Sequence, residues 1–175
     1  MEFTETPLAG AFLVDVQIQG DERGFFARSF CRDEFAERGL CTEFVQCSLS
    51  FNDRVGTLRG LHFQRDPFGE AKLVRCTAGA IFDVIVDLRR DSPQFRLWFG
   101  VELKGDNRRA IYIPSGFAHG FVTLTPAAEV FYQMSERYRP DLAAGVRWND
   151  PAFGIAWPVD RPVISERDAM FPNFH

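Results

Sequence analysis

Apolar positions along the chain fall in short runs, alternating or nearly continuous, rather than at the spacing of a helix face. The stretches FLVDVQIQ (12–19), EFVQCSLSF (43–51), AIFDVIVDL (80–88), RLWFGVEL (96–103) and EVFYQM (129–134) are rich in β-branched and aromatic residues, as strands are. Turn-forming clusters separate them: DERG (21–24), TAGA (77–80), RRDSPQ (89–94), KGDNRR (104–109) and IPSGFAHG (113–120). Only CRDEFAERGL (31–40) reads as a helix, with Gly39 at its C-terminal stop. A parallel βαβ arrangement would need more helices than this. The pattern therefore predicts an all-β sandwich or barrel with a few short helices, its core filled largely by rings from 19 phenylalanines. No repeat, low-complexity segment or linker divides the chain, so residues 1–175 are expected to form a single domain. The closing stretch DRPVISERDAMFPNFH (160–175) is less regular and is expected to pack over that domain or reach a neighbouring subunit.

One segment breaks the apolar pattern. GTLRGLHFQRDPFGEAKLVRC (56–76) places Arg59, His62 and Lys72 where buried strand is otherwise expected. In a regular strand, Leu58, Gly60, His62 and Gln64 share one face, and Arg59, Leu61 and Phe63 share the other. Arg59 and His62 could not then enter one cavity. A bulge at Gly60 would re-aim its neighbours, and bulges concentrate near active sites. The plainer alternative has Arg59 and Lys72 reaching to solvent and His62 hydrogen-bonded in the core.

Charge narrows the choice of partner. A net charge of −4 and a pI near 5.4 argue against a nucleic-acid surface, while leaving room for a local basic pocket suited to a small anion. The opening residues carry acidic side chains where a secretory leader carries positive ones, and no stretch reaches the roughly 20 apolar residues of a membrane helix. Cys31, Cys41, Cys47 and Cys76 show no CxxC spacing, so reduced structural thiols in a cytoplasmic protein are expected rather than zinc ligands.

A second constellation bears on the first. PSGFAH (114–119) matches the P-x-G-x-x-H half of the cupin signature, whose tight turn presents a histidine to the barrel interior. Gly56, His62, Gln64 and Glu70 resemble the other half, in which metal-binding cupins carry H-x-H followed by Glu. His62, Glu70 and His119 are thus candidate metal ligands, but Gln64 is a poor ligand and Lys72 would set a positive charge beside any cation. No metal and no cofactor are expected.

Several longer motifs, GTLRGLHFQ, KLVRCTAGAIFDVIVDLRRDSP, YIPSGFAHGF, EVFYQMSERY and GVRWNDPAFGIAWP, resemble the dTDP-4-dehydrorhamnose 3,5-epimerase family in order and spacing. With DERGFF near one end and ISERD near the other, the resemblance covers most of the chain. It implies a cupin-type jelly roll, metal-independent and homodimeric, acting on dTDP-4-dehydro-6-deoxy-D-glucose. By the same resemblance His62 is the catalytic base, Asp168 its orienting carboxylate, Lys72 the enolate stabiliser and Tyr132 the opposing acid. Arg23, Phe26, Gln46, Arg59, His119 and Tyr138 are implied substrate or nucleotide contacts. Ser48 stands at a further contact position where asparagine is frequent, and Arg28 stands where an acidic residue is frequent. Asp83 is a candidate partner for His119. The chemistry needs these types: removing a proton next to a ketone requires a positioned base and a group that stabilises charge developing on oxygen. Three other readings are an epimerase inverting one carbon, a metal-dependent cupin oxygenase and a non-catalytic binding module.

Overall fold

A computed structural model describes residues 1–174. Its strands and helices, in chain order, begin with β1 (Glu2–Glu5), β2 (Phe12–Asp15), β3 (Gln19–Asp21), β4 (Gly24–Phe26) and α1 (Arg32–Ala36). There follow β5 (Gln46–Asn52), β6 (Thr57–Gln64), β7 (Lys72–Ala78), β8 (Ala80–Asp87), β9 (Trp98–Lys104) and β10 (Ala110–Ile113). β11 (Phe117–Thr123), β12 (Ala128–Met134), β13 (Ala143–Gly145), β14 (Val163–Ile164) and α2 (Glu166–Ala169) complete the set. One sheet has the order β1-β2-β10-β7-β12-β5, and the other has β13-β6-β11-β8-β9 with β14 beside β6. β3 and β4 form a separate hairpin. The two sheets pack face to face, as the apolar pattern predicts, in the cupin-like jelly roll that the family resemblance implies. Among the described residues, no helix is long and apolar enough to cross a membrane.

Alternation along the strands sorts side chains into three layers. Val74, Cys76, Ile81, Ile85, Ile111 and Val130 meet between the sheets, in a fully buried cluster. Behind the first sheet, α1 inserts Phe35 among Phe3, Phe30, Phe44 and Tyr112, with ring centroids 4.9–6.4 Å apart in edge-on contacts. Behind the second sheet, Leu61, Val84, Val86 and Ala118 are covered by Val146, Phe153 and Trp157 from the C-terminal third. The four cysteines are free, and burial pushes the Cys76 thiol up to about 11, which keeps it protonated and unreactive.

Three elements depart from the pattern-based expectation. The apolar run 12–19 breaks after Asp15, whose carboxylate pairs with Arg109 at 2.8 Å, and the hairpin strand begins afresh at Gln19. The helix expected over 31–40 regularises only over Arg32–Ala36, although Gly39 does end the turn that follows, at φ 67°. Most importantly, 113–120 is not all turn. Pro114 to Gly116 turn, and Phe117–Thr123 is a fully buried strand.

The glycines in that strand and in β6 explain why its composition misleads. Register runs His119↔His62 and then Phe121↔Arg59, so β6 carries one more residue than β11 across this interval, a bulge at Gly60–Leu61. Gly60 has φ 125°, and a Cβ there would lie 2.6 Å from the Gly120 Cα and 2.9 Å from the His119 carbonyl oxygen. Both positions require glycine because two backbones touch. Gly60→Ala is expected to cost about 3 kcal/mol or more, combining an unfavourable φ with overlap, and to lower the urea midpoint accordingly. An unfolding free energy within about 0.5 kcal/mol of wild type, the range of ordinary surface changes, would show that the bulge tolerates a side chain.

Candidate active site

The bulge turns Arg59 and His62 to the same side, while Leu61 is buried behind the sheet. Both line a cavity of about 560 Å³ between the sheets. From the facing sheet, β7 contributes Lys72, β12 contributes Tyr132, and edge strand β5 contributes Gln46 and Ser48. His119 enters from β11, beside His62, and Tyr138 stands at the rim, 55% exposed.

The histidines, the cations and Gln46 in the cavity have partners that aim them. His62 Nε2 lies 2.9 Å from Asp168 Oδ1, and the other carboxylate oxygen accepts the Gly60 N–H at 3.0 Å. One carboxylate thus holds both the bulge and the imidazole that the bulge presents. Burial pushes the Asp168 carboxyl up, but hydrogen bonds from His62 and the Gly60 amide outweigh it and hold the group below its ordinary value. An ionised Asp168 must accept, so Nε2 carries the proton and Nδ1 keeps a lone pair. His119 Nε2 lies 2.8 Å from the fully buried Asp83, a second pair built the same way on the adjacent strand. Lys72 and Glu70, both nearly buried, pair at 3.0 Å. Arg59 Nε donates to Asn52 Oδ1 at 2.8 Å, which leaves the guanidinium tip at the cavity. Gln46 Oε1 accepts the Tyr138 amide at 2.5 Å and so fixes the rim.

Two of the four cupin ligand positions, Gln64 and Glu70, are engaged elsewhere. Gln64 donates to the Phe68 and Arg137 carbonyls at 2.6 and 3.2 Å and accepts the Arg139 amide at 2.8 Å. It is a clip between two loops. Each histidine gives Nε2 to its own aspartate, and Glu70 is committed to Lys72.

Two expected contacts lie elsewhere. Arg23 and Phe26 sit on the β3–β4 hairpin and do not line this chain's cavity. The Arg23 side chain is 84% exposed and pairs with Asp21, while Phe26 is 71% exposed. Arg28 pairs with Glu34 at 3.3 Å, away from the cavity. Conversely, the sequence reading passed over Arg167, which lines the cavity one residue before Asp168, and Asn52, which orients Arg59. Arg167 was legible as a cation within SERD; nothing in the sequence marked Asn52 as facing Arg59.

Fold and site together define a jelly-roll protein with ionisable groups facing each other across one cavity: a histidine–aspartate dyad joined to one sheet, and an ammonium and a phenol on the other. The sequence model of the dTDP-4-dehydrorhamnose 3,5-epimerase family matches residues 5–175, and the chain belongs to that family of isomerases. It is 42% identical to the Shigella flexneri dTDP-4-dehydrorhamnose 3,5-epimerase, over 99% of this chain and 96% of that protein. The Bacillus anthracis dTDP-4-dehydrorhamnose 3,5-epimerase, solved with TDP and pyrophosphate bound, superposes with a TM-score of 0.96 at 43% identity, over 99% of both chains. The Legionella pneumophila dTDP-6-deoxy-D-glucose-3,5-epimerase, in complex with dTDP-4-keto-L-rhamnose, gives 0.92 at 38% identity, over 98% of this chain and 92% of that one.

The lowered Asp168 pKa fixes the sign of a pH effect. A group depressed in the fold stabilises it above the ordinary value of 3.8, and that contribution is lost as pH falls through the lower folded value. Wild type should therefore exceed Asp168→Asn in urea midpoint at neutral pH, and the gap should narrow below about pH 4. A gap that widens on acidification would contradict the ionised dyad.

Proposed function

We propose that this chain converts dTDP-4-dehydro-6-deoxy-D-glucose to dTDP-4-dehydro-L-rhamnose by inverting carbons next to the ketone. The observation that carries the reading is the His62–Asp168 dyad on one sheet, with Tyr132 and Lys72 on the sheet opposite, around one cavity. His62 Nδ1 takes the C–H proton, and the electron pair left on carbon delocalises onto the carbonyl oxygen as an enolate. Lys72, held by Glu70, donates a hydrogen bond to that oxygen. Tyr132, whose phenol makes no hydrogen bond within the described residues, delivers a proton to the other face. Inversion results with no net change of redox state. Asp168 fixes the tautomer throughout.

The rest of the pocket suits a nucleoside diphosphate. Arg59, with its tip free of any carboxylate among the described residues, grips phosphate oxygens, and Arg167 adds a second cation. Gln46, Ser48, His119 and Tyr138 contact sugar or base. Arg23 and Phe26 complete the site of a second copy in a homodimer. This is supported by the exposed Phe25 and Phe26 on the hairpin and by Leu49 and Phe51, 64% and 55% exposed on edge strand β5 beside the cavity. The family match over 5–175 supports reading the chain as one epimerase domain, and its free cysteines fit a cytoplasmic setting.

The test is proton NMR of the dTDP-linked 4-keto sugar with enzyme in deuterated water. Deuterium should enter at C3 and C5 with inversion at both; entry at one carbon alone would assign a single-carbon epimerase, and no entry would reduce the chain to a binding module. Loss of activity on chelation, restored by one transition metal, would install the metal-dependent alternative. Tyr132→Phe should reduce inversion about 10²- to 10⁴-fold while His62 still exchanges its own proton, so wash-in outlasts inversion. Equal loss of both would contradict opposed faces.

A further inference from the structure

Asp168 lies on α2, a helix of four residues, Glu166–Ala169. A single turn does not hold itself in water. Its position must come from anchors on either side. On the N-terminal side, Ser165 Oγ accepts the Asp168 amide at 3.1 Å, and β14 pairs with β6. On the C-terminal side stands Phe171. Its ring occupies the space that a side chain at Gly145 would fill, since a Cβ there would overlap the ring at three carbons. Gly145 is also the cross-strand partner of His62. The ring therefore reaches the imidazole and meets it edge-on, with centroids 5.7 Å apart and planes at 79°.

The backbone around the ring is tied as well. The Arg147 amide donates to the Pro172 carbonyl at 2.9 Å, and Arg147 Nε donates to the Phe171 carbonyl at 3.2 Å. The segment carrying the carboxylate is thus fastened to the strand end beside the imidazole, and the ring packs against the imidazole itself. Resting on the reading of His62 as base, we infer that Phe171, seated in the slot left by Gly145, is a positioning residue that holds Asp168 and His62 at hydrogen-bond distance. A displacement of about 1 Å in such a pair is enough to cost on the order of 10²-fold in rate.

The test compares Phe171→Ala, Phe171→Leu and Gly145→Ala with wild type and with His62→Ala, each checked for fold by circular dichroism. Expected is a fall in kcat of about 10- to 100-fold for Phe171→Ala and Gly145→Ala, KM within about twofold, and partial recovery in Phe171→Leu. The His62 Nε2–H proton, expected in wild type as a low-field NMR resonance, should broaden or vanish in the first two. Full kcat in Phe171→Ala, or a fall in kcat with that resonance unchanged, would overturn the inference, as would loss of fold in both Phe171→Ala and Gly145→Ala. Retained exchange in His62→Ala would instead overturn the reading of His62 as base, which separates the two failures.

Discussion

Without the extra residue that β6 carries at Gly60–Leu61, Arg59 and His62 would stand on opposite faces of the sheet, and no single cavity could hold both. The bulge exists because Gly60 and Gly120 let two backbones touch, and it is held by a carboxylate from 108 residues further along the chain. The same carboxylate fixes the imidazole ring. Backbone geometry and the orientation of the imidazole are therefore one feature here: displacing Asp168 frees both the strand that presents the histidine and the ring itself.

An acidic chain with a cationic pocket faces a second constraint, since charges lifted out of water are costly unless paired or hydrogen-bonded. The pocket meets it group by group. Glu70 holds Lys72, Asn52 takes one donor of Arg59, and Asp83 and Asp168 each take one histidine nitrogen. In every case one side of the group is fixed and another faces the cavity. Such groups need little reorganisation when charge develops on a substrate, which is the condition for strong electrostatic stabilisation.

The two-sheet fold was legible because side-chain alternation is local, and strands β8, β9 and β12 lie close to where the apolar runs place them. β11 was not, because Pro114 and Gly116 just before it and Gly120 within it look like a turn; the reason for Gly120 is a contact with Gly60, 60 residues away in sequence, that no window of residues reveals. Arg59, His62 and Lys72 stood out as polar residues in an apolar segment and His119 through the P-x-G-x-x-H half of the cupin signature, and they do meet in one cavity. Asp168 and Tyr132 were visible only through family resemblance, the first because its contact spans 106 residues, the second because a tyrosine in a strand looks like core. Arg23 and Phe26 were named as site residues but lie on an exposed hairpin, and a sequence does not say whose cavity a hairpin reaches.

The central claim is that Asp168 holds His62 as the tautomer whose Nδ1 can take a proton from carbon. Nitrogen-15 NMR of the labelled enzyme, assigned through His62→Asn, reads this directly at a pH where the ring is neutral. The account predicts that Nε2 of His62 carries the hydrogen and Nδ1 shows the shift of an unprotonated ring nitrogen, and that Asp168→Asn abolishes this preference. A hydrogen on Nδ1 of His62 in the wild-type enzyme would contradict it.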